Sequence, residues 1–340
     1  MIKLYTDQNY LIPENRRIVF PLLFDLWYSP NRNLLEKYEL VTVIEDADIV
    51  VVPVDIAFFY RNNKQQELNN FIDEALSHNK KVWQYSAGDY GKTSDNAVYT
   101  FRLGGFDSKL NDNTFILPSF ITDPYTKIPQ SFSSLVKEEQ PRIGFVGHAS
   151  NAWSKKIKEY LGYIIYNYKR WTKKVDTDYQ PFYPSAIKRF RLLSVLQKSP
   201  DVQTDFIFRK QYRAGSKSEE EKNKTTVVFL ENIARNPYTF CMRGAGNFSV
   251  RFYETLAMGR IPLVVDTDFR LPLDKNINWS QHCIVAKEPH IEKVLIDFHQ
   301  KISAEDFEFM QQNNRKLWRT YLEREAYFLK IYFIFKTESK

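Results

Sequence analysis

The chain has 340 residues, of which 43% are hydrophobic and 26% are charged, and its formal net charge is +7. This length allows two domains of ordinary size, and the composition is that of a folded protein, which excludes a disordered chain. The positive charge favours anionic partners, namely nucleotide-sugars, anionic glycans, acidic lipid headgroups or nucleic acid.

The cysteine count and the hydropathy pattern indicate where in the cell the protein is located. Only Cys241 and Cys283 are present, which is too few for a disulfide framework. The first residues have the pattern of a strand and not that of a signal peptide. No stretch approaches the roughly 20 apolar residues that a membrane-spanning helix needs. We therefore expect a cytoplasmic protein.

The first part of the chain alternates between strand and helix patterns. Continuous apolar or β-branched runs predict strands at Ile2–Tyr5, 46–55 and 81–85. Apolar residues at helical spacing predict helices at 18–27 and 68–79. Strands and helices that alternate at these lengths are typical of an α/β domain.

A second α/β domain is predicted after a linker. Residues 124–140 carry prolines, serines and charges without periodicity, and a strand pattern follows at 141–148. We predict an N-terminal acceptor-side domain at 1–138, a nucleotide-sugar-binding domain at 139–305, and a helical segment at 306–340 that packs back on the first domain.

The helix predicted at 153–171 has two different faces. Apolar side chains recur at helical spacing, at Trp153, Ile157, Tyr160, Leu161, Ile164, Tyr168 and Trp171. Basic side chains occupy the other face, at Lys155, Lys156, Lys158, Lys169 and Arg170. The simplest interpretation is a core helix with a solvated basic face, and the alternative is a basic binding patch.

The most informative stretch is a strand, glycine loop, helix and strand pattern in the second domain. A short apolar strand at 238–242 precedes Gly244 and Gly246, and a buried strand follows the helix at 261–265. The glycines let the backbone turn and let a ligand approach closely. Ser249 is positioned to cap the helix between the two strands.

Charged side chains surround this glycine loop. The helix N-terminus offers free N–H groups and a positive dipole end, which suit a phosphate. Arg243 and Arg251 bracket the turn and would donate charge-assisted hydrogen bonds to a diphosphate. Glu254 would accept from sugar hydroxyls. A nucleotide-diphosphate site is the sharper interpretation, and a ligand-free unit with a surface Arg251–Glu254 pair is the alternative.

These motifs, in this order, resemble the exostosin family of glycosyltransferases (glycosyltransferase family 47). The strongest match consists of Thr239-Phe240-Cys241, Arg243-Gly244, Ser249-Val250-Arg251, Glu254-Thr255-Leu256, Gly259-Arg260-Ile261-Pro262 and Asp266. Weaker matches are Ala47-Asp48 with Pro53, Ile143 to Gly147, Leu271-Pro272 and Trp279. The family often has proline at Arg243 and cysteine at Arg260, and its Asp-His signature lacks the histidine here.

The resemblance implies a GT-B fold, in which two Rossmann-like α/β domains with parallel sheets face a central cleft. It implies diphosphate contacts from Arg243, Gly244, Ser249 and Arg251, and a ribose or sugar contact from Glu254. It also implies an inverting transfer from a nucleotide-sugar, which we expect to be UDP- or GDP-linked. This donor is a substrate, and no cofactor is expected.

An inverting transfer needs a base that deprotonates the acceptor hydroxyl. The candidates are Asp89, Asp55 and His148, because each follows a predicted strand at a glycine- or proline-marked end. Each has an alternative role. Asp55 can cap a helix, Asp89 can form an Asx turn, and His148 can bind a phosphate.

Two Asp-x-Asp triplets, Asp176-Thr177-Asp178 and Asp266-Thr267-Asp268, are similar to the metal clamp of the other glycosyltransferase fold. Paired carboxylates do hold divalent cations against phosphates. That motif, however, belongs after a strand in a single mixed-sheet domain. We therefore interpret both triplets as loop carboxylates and predict no metal site.

The predicted function is a glycosyltransferase that builds a surface polysaccharide, such as a capsule or lipopolysaccharide glycan, on a glycan or lipid-linked glycan. The acceptor would be met at the inner face of the membrane, with peripheral contact to anionic lipid through the basic helix and the aromatic C-terminal helix. A non-catalytic glycan- or nucleotide-sugar-binding protein of the same fold is the alternative. No nucleic acid is expected, because no zinc spacing or recognition helix is found.

Overall fold

A computed structural model describes residues 1–94, 97–209 and 218–337. The strands are β1 Ile2–Tyr5, β2 Tyr38–Val41, β3 Ile49–Val51, β4 Lys81–Ser86, β5 Val98–Arg102, β6 Thr114–Ile116, β7 Arg142–His148, β8 Gln203–Arg209, β9 Tyr238–Cys241, β10 Ile261–Val265 and β11 Ile284–Ala286. The helices are α1 Pro21–Leu23, α2 Arg32–Leu35, α3 Ile56–Arg61, α4 Gln65–Ser77, α5 Trp153–Trp171, α6 Ser185–Lys198, α7 Glu219–Arg235, α8 Val250–Ala257, α9 Ile291–Lys301, α10 Ala304–Leu317 and α11 Arg324–Thr337. None of the described helices combines the length and the apolar character needed to cross a membrane.

The strands form two separate parallel sheets. The first has the order β2-β1-β3-β4-β5-β6, and the second has the order β11-β10-β9-β7-β8. Within each sheet the described pairings between strands are parallel. Helices α3 and α4 connect β3 to β4, α5 and α6 connect β7 to β8, α7 connects β8 to β9, and α8 connects β9 to β10, as is usual for parallel pairing. The chain therefore has two Rossmann-like α/β domains, which confirms the predicted GT-B fold class.

Apolar runs account for the strands at the centre of the second sheet. Every residue of β9 and β10 is buried, as expected of strands covered on both faces. The bounds of β1, β10 and α5 match the predictions. The sequence patterns do not indicate β5, β6 or α6, because these elements are short or lack a clear apolar period.

The C-terminal helices pack on different domains. α10 contacts α8 and β10 of the second domain, whereas α11 lies on the first sheet. There, Tyr38 donates to the carbonyl oxygen of Phe328 at 2.8 Å, and the ring centroids of Trp83 and Phe335 are 4.7 Å apart. The backbone of Glu323 is extended, which divides the helix that the sequence predicts as continuous. These α11 aromatic rings are buried, whereas Phe333 on the same helix is exposed, so the membrane contact expected of this helix stays a prediction.

A buried arginine joins the two domains. Arg102, at the end of β5, is fully buried, and its Nη1 lies 2.7 Å from Oδ2 of Asp178 in the second domain. The same guanidinium donates to the carbonyl oxygens of Tyr90 and Gly104 and to the hydroxyl of Thr93. Matching both the donors and the charge of this guanidinium in this way offsets the cost of burying it.

A second set of hydrogen bonds also joins the two domains. Asn247, which is buried, donates to the carbonyl oxygens of Gly105, Thr267 and Asp268. Ser108 of the first domain donates to the carboxylate of Asp268 through its backbone N–H and its hydroxyl. Carboxylates of both Asp-x-Asp triplets therefore pair across the domain boundary.

Removal of the Asp178 carboxylate should weaken the fold. In Asp178→Ala, the charge of Arg102 stays buried without its partner, so the free energy of unfolding should fall by about 2–4 kcal/mol in urea denaturation. Burial raises the pKa of Asp178. The hydrogen bond from the Thr93 N–H and the charge of Arg102 lower this pKa by a larger amount, so the net shift is downward. The stabilisation is therefore complete above the unfolded-state pKa and is lost as the pH falls through the folded-state pKa.

Asp112→Ala is the matched control for this experiment. Asp112 pairs with Lys275 across the same domain boundary at 3.2 Å, but both side chains are largely exposed. The control should leave the free energy of unfolding unchanged within error, because exposed pairs contribute little. Equal effects of the two variants would contradict the importance of the buried Arg102 charge.

Candidate active site

The candidate site lies where the strand order of the second sheet reverses. β8 pairs with one edge of β7 and β9 pairs with the other, so the connections diverge at the carboxyl ends of β7 and β9. Open parallel sheets usually bind ligands in the crevice at such a point. His148 ends β7 and Arg243 follows β9, while Arg251 of α8 and Arg189 of α6 extend to the same place.

The guanidinium of Arg251 is held against β7. Its Nη2 donates to the carbonyl oxygen of Val146 at 2.8 Å, and its Cζ lies 4.4 Å from the ring centroid of Phe145. Gly147 leaves room for it, because a Cβ there would lie 2.8 Å from Nη2. The Nε is buried with no hydrogen-bond partner in the described ranges. Burial lowers the pKa of Arg251, and an added anion would relieve this cost.

Arg189 is a candidate that the sequence does not indicate. Its Nη1 donates to the carbonyl oxygen of His148 at 2.7 Å, and its Nη2 donates to that of Arg243 at 3.2 Å. Burial, together with the charge of Arg251, lowers the pKa of Arg189 to about 10. Its helix carries several basic residues and no recognised motif, so no pattern distinguishes this arginine from its neighbours.

Arg243 is almost completely buried in the loop after β9. Its Nη2 donates to Oε1 of Gln180 at 3.1 Å and to the carbonyl oxygen of Ala245 at 2.7 Å. Its Cζ lies 4.7 Å from the ring centroid of Tyr183. Burial lowers the pKa of this arginine too, although the charge of Asp89 partly opposes the shift.

Together Arg189, Arg243 and Arg251 form what we call the guanidinium cluster. Each has a buried Nε without a hydrogen-bond partner in the part of the chain that the structure describes. Within that part, the three groups form hydrogen bonds with neutral acceptors and no ion pair with a carboxylate. Partly buried cations in this state favour an anion that offers several oxygens.

The two glycines of the loop have different neighbours. A Cβ at Gly244 would have no heavy atom within 4 Å, so the space beside it is open. A Cβ at Gly246 would overlap the carbonyl oxygen of Asp89 and lie 2.9 Å from its Cα. Neither glycine has a positive φ, so close approach explains them better than backbone freedom. Gly244 leaves room for a ligand, and Gly246 leaves room for the first domain.

Ser249 and Glu254 flank Arg251 on α8. Ser249 occupies the N-cap position, but its hydroxyl forms no capping hydrogen bond, so the predicted side-chain cap is wrong. It instead lines a cavity of about 30 Å³ beside Arg243. Burial lowers the pKa of Arg251, and the charge of Glu254 partly opposes that shift. Both predicted donor-site residues therefore lie near the guanidinium cluster.

Asp89 faces the glycine loop from the first domain. Its backbone packs on Gly246, and its side chain is exposed. Partial desolvation raises the pKa of the Asp89 carboxyl, and the charge of Arg243 partly lowers it. The structure thus brings this base candidate close to the guanidinium cluster across the domain boundary.

Asp55 lies behind the loop that carries Asp89. Its Oδ1 accepts from the backbone N–H groups of Ala57 and Ala87, both at 3.1 Å, and so caps α3. Its Oδ2 lies 3.4 Å from Nη2 of Arg61. Burial raises the pKa of Asp55, although these hydrogen bonds lower it in part. Asp55 therefore has the helix-capping role that is the predicted alternative to a base.

His148 lies beside the guanidinium cluster. Its Nδ1 donates to the carbonyl oxygen of Arg209 at 2.9 Å. A ring nitrogen must carry the proton to pair with a carbonyl, so Nδ1 is protonated. The carbonyl oxygen of His148 accepts from Arg189. His148 therefore lies next to the guanidinium cluster, and its predicted role as a phosphate neighbour stays a prediction.

An aromatic cavity of about 310 Å³ adjoins the glycine loop and is a feature that the sequence does not indicate. Its walls come from α5, from the segment before α6 and from loops of both domains. The aromatic residues in these walls are Tyr90, Tyr163, Tyr166, Phe182 and Tyr183. The Tyr183 hydroxyl is buried with no hydrogen-bond partner in the described ranges. Because Tyr183 also contacts Arg243, the aromatic cavity is continuous with the guanidinium cluster.

The close packing at Gly246 predicts that a larger side chain there would destabilise the fold. In Gly246→Ala, the new methyl group overlaps the Asp89 backbone, so the free energy of unfolding should fall by about 1–3 kcal/mol in urea denaturation. Gly244→Ala is the matched control, because its methyl group would meet open space and should leave stability nearly unchanged. A stable Gly246→Ala variant would contradict the close approach of the two domains at this point.

Comparison with known proteins gives partial matches in sequence. No family model matches the chain. Exostosin-1 of Drosophila melanogaster is 31% identical over 108 residues, which are 31% of this chain and 14% of that protein. A probable glucuronoxylan glucuronosyltransferase of Arabidopsis thaliana is 26% identical over 85 residues, which are 25% of this chain and 19% of that protein. The match spans less than a fifth of either relative.

Comparison with solved structures gives glycosyltransferases of low sequence identity. A glycosyltransferase from Rickettsia africae has 9% identity and a TM-score of 0.38, with 97% of both chains covered. A TarM variant of S. aureus, in complex with fondaparinux, alpha-GlcNAc-glycerol and UDP, has 7% identity and a TM-score of 0.37, covering 84% of this chain and 55% of that one. Both TM-scores are below 0.5, so the fold class rests on the two parallel sheets. The sequence comparisons confirm the resemblance that the motifs predict: the chain is similar to the exostosin-type glycosyltransferases.

Proposed function

We propose that the protein transfers a sugar from a nucleotide-sugar to a glycan acceptor. The guanidinium cluster carries this proposal, because incompletely paired cations beside an open glycine suit the diphosphate of such a donor. Similarity to exostosin-type glycosyltransferases supports the same activity.

The donor diphosphate would lie against the guanidinium cluster, with Gly244 at the closest approach. The hydroxyl of Ser249 is not used as a helix cap and would donate to a phosphate oxygen. Glu254, on the same helix, would accept from hydroxyls of the ribose or the sugar. A UDP- or GDP-linked sugar fits these roles.

Asp89 would act as the base. Its carboxylate would take the proton of an acceptor hydroxyl, whose oxygen forms a bond to the anomeric carbon while the bond to the diphosphate breaks. The configuration at that carbon inverts. Charge that develops on the leaving diphosphate would be stabilised by the guanidinium cluster, which supplies what a divalent cation supplies in metal-dependent transfer. We therefore infer an inverting and metal-independent reaction.

The aromatic cavity is the proposed acceptor site. It lies between Tyr90, next to Asp89, and Ala245 of the glycine loop, so an acceptor there would be close to both the base and the donor. Aromatic faces and hydroxyl groups suit a sugar ring. The proposed acceptor is a glycan or lipid-linked glycan of a surface polysaccharide, such as a capsule or lipopolysaccharide, met at the inner face of a membrane.

Nucleotide binding tests the donor site. We expect one of UDP, GDP, CMP and TDP to raise the melting temperature, because a ligand at about 100 Kd stabilises a fold by about 2.7 kcal/mol. EDTA should not change this rise. No rise with any nucleotide would contradict the donor site, and a rise that EDTA removes would contradict metal independence.

Arg189→Ala links this binding to the guanidinium cluster. The variant should lower the affinity for that nucleotide by about 10- to 100-fold, because it removes charge-assisted hydrogen bonds. The matched control is Arg235→Ala in the same domain, whose side chain pairs with Asp205 at the surface and should not affect nucleotide affinity. Unchanged affinity in a folded Arg189→Ala protein would exclude Arg189 from the site.

Asp89→Asn tests the chemistry. Turnover should fall by about 10²–10⁴-fold while nucleotide affinity is retained, because the carboxylate belongs to the opposite domain. The raised pKa of Asp89 means that wild-type turnover should decrease on the acid side at a pH above the ordinary value of 3.8.

Asp73→Asn is the matched control for Asp89→Asn, since Asp73 is exposed on the same domain. It should leave both turnover and nucleotide affinity unchanged. Full turnover by Asp89→Asn would show that another group is the base. Nucleotide binding without any turnover by the wild-type protein would favour a non-catalytic binding protein.

A further inference from the structure

The apolar face of α5 points away from the protein. The sequence pattern predicts that this face lies in the core, and the structure shows that this prediction is wrong. Eight large side chains are 46–78% exposed, namely Trp153, Ile157, Tyr160, Leu161, Ile164, Ile165, Tyr168 and Trp171. We call them the outer stripe of α5. Contiguous exposed apolar surface on this scale marks an interaction site.

The opposite face of α5 accounts for this orientation. It forms one wall of the aromatic cavity through Glu159, Gly162, Tyr163 and Tyr166, none of which belongs to the outer stripe. At 100° per residue, these positions lie roughly across the helix from Ile164. The helix therefore separates the aromatic cavity from whatever covers the outer stripe.

Basic side chains border the outer stripe. Lys158 and Lys169 lie along one side of it, and Lys156 lies along the other, by the same helical geometry. The acidic residue of this helix, Glu159, is on the cavity side. Tryptophans stand at both ends, about 27 Å apart, and tyrosines lie between them. An apolar stripe with basic borders and amphipathic rings is typical of a helix that lies in a membrane interface.

We propose that the outer stripe of α5 docks on an anionic lipid bilayer. The helix lies parallel to the surface, its apolar side chains enter the boundary between headgroups and acyl chains, and its lysines contact anionic headgroups. The docking itself is independent of catalysis, but its purpose rests on the proposed function. It would bring the aromatic cavity to the membrane, where a lipid-linked acceptor is found.

The charge pattern distinguishes lipid from a second copy of the chain. In a twofold contact between two α5 helices, the same surface meets itself. The lysine borders of both helices would then face each other without acidic partners on the stripe, which is unfavourable. Anionic headgroups provide the complementary charge that a second α5 lacks.

Vesicle sedimentation tests this docking. The full chain should bind vesicles of phosphatidylcholine with phosphatidylglycerol, should bind vesicles of phosphatidylcholine alone more weakly, and should lose binding as salt is raised. The double variant Leu161→Asp/Ile164→Asp and the charge variant Lys158→Glu/Lys169→Glu should each reduce binding by about tenfold or more. Both pairs of residues are exposed, so the variants should fold.

Phe309→Asp is the matched control, because Phe309 is as exposed as the outer stripe but lies on α10. It should bind vesicles like the wild type. Wild-type protein that stays in solution, or stripe variants that bind normally, would overturn the proposal. Self-association that the stripe variants abolish would also overturn it, in favour of a second copy.

Nucleotide binding keeps this test separate from that of the proposed function. The stripe variants should show the same nucleotide-induced rise in melting temperature as the wild type. Vesicle binding with no response to any nucleotide would support docking while contradicting the donor site. A rise in melting temperature with a nucleotide, without vesicle binding, would support the donor site and contradict the docking.

Discussion

The rest of this structure depends on how buried arginine charge is accommodated between the two sheets. Arg102 is fully buried and is matched by Asp178, whose carboxylate comes from the other domain. A guanidinium removed from water must satisfy both its donors and its charge. Arg102 therefore holds the two domains in a defined arrangement.

The guanidinium cluster obeys the same physics with a different outcome. Neutral acceptors, such as the carbonyl oxygens of Val146 and His148, fix the positions of its side chains without neutralising their charge. The remaining charge and the unpaired Nε groups are thus preorganised for an anion. Preorganised charge is also what stabilises a diphosphate as it leaves, because the protein need not rearrange during the reaction.

The orientation of α5 shows how a helical pattern can mislead. Its apolar and polar faces are both clear in the sequence, and burial of the apolar face is the ordinary outcome. Here the polar face has an inward role, because Glu159, Tyr163 and Tyr166 line the aromatic cavity. The period of a helix identifies two faces, but the elements that surround the helix decide which of them turns inward.

By itself, the sequence determined the features that local patterns encode. Buried runs gave β9 and β10, and the glycine loop with Arg243 and Arg251 was identifiable because these residues lie within a few positions of one another. The tertiary structure alone decided the features that join distant segments. Arg189 meets Arg243 across 54 positions, and Arg102 meets Asp178 across 76. A local sequence period cannot predict such a contact, because these side chains come close together only when the strands are arranged in the two sheets.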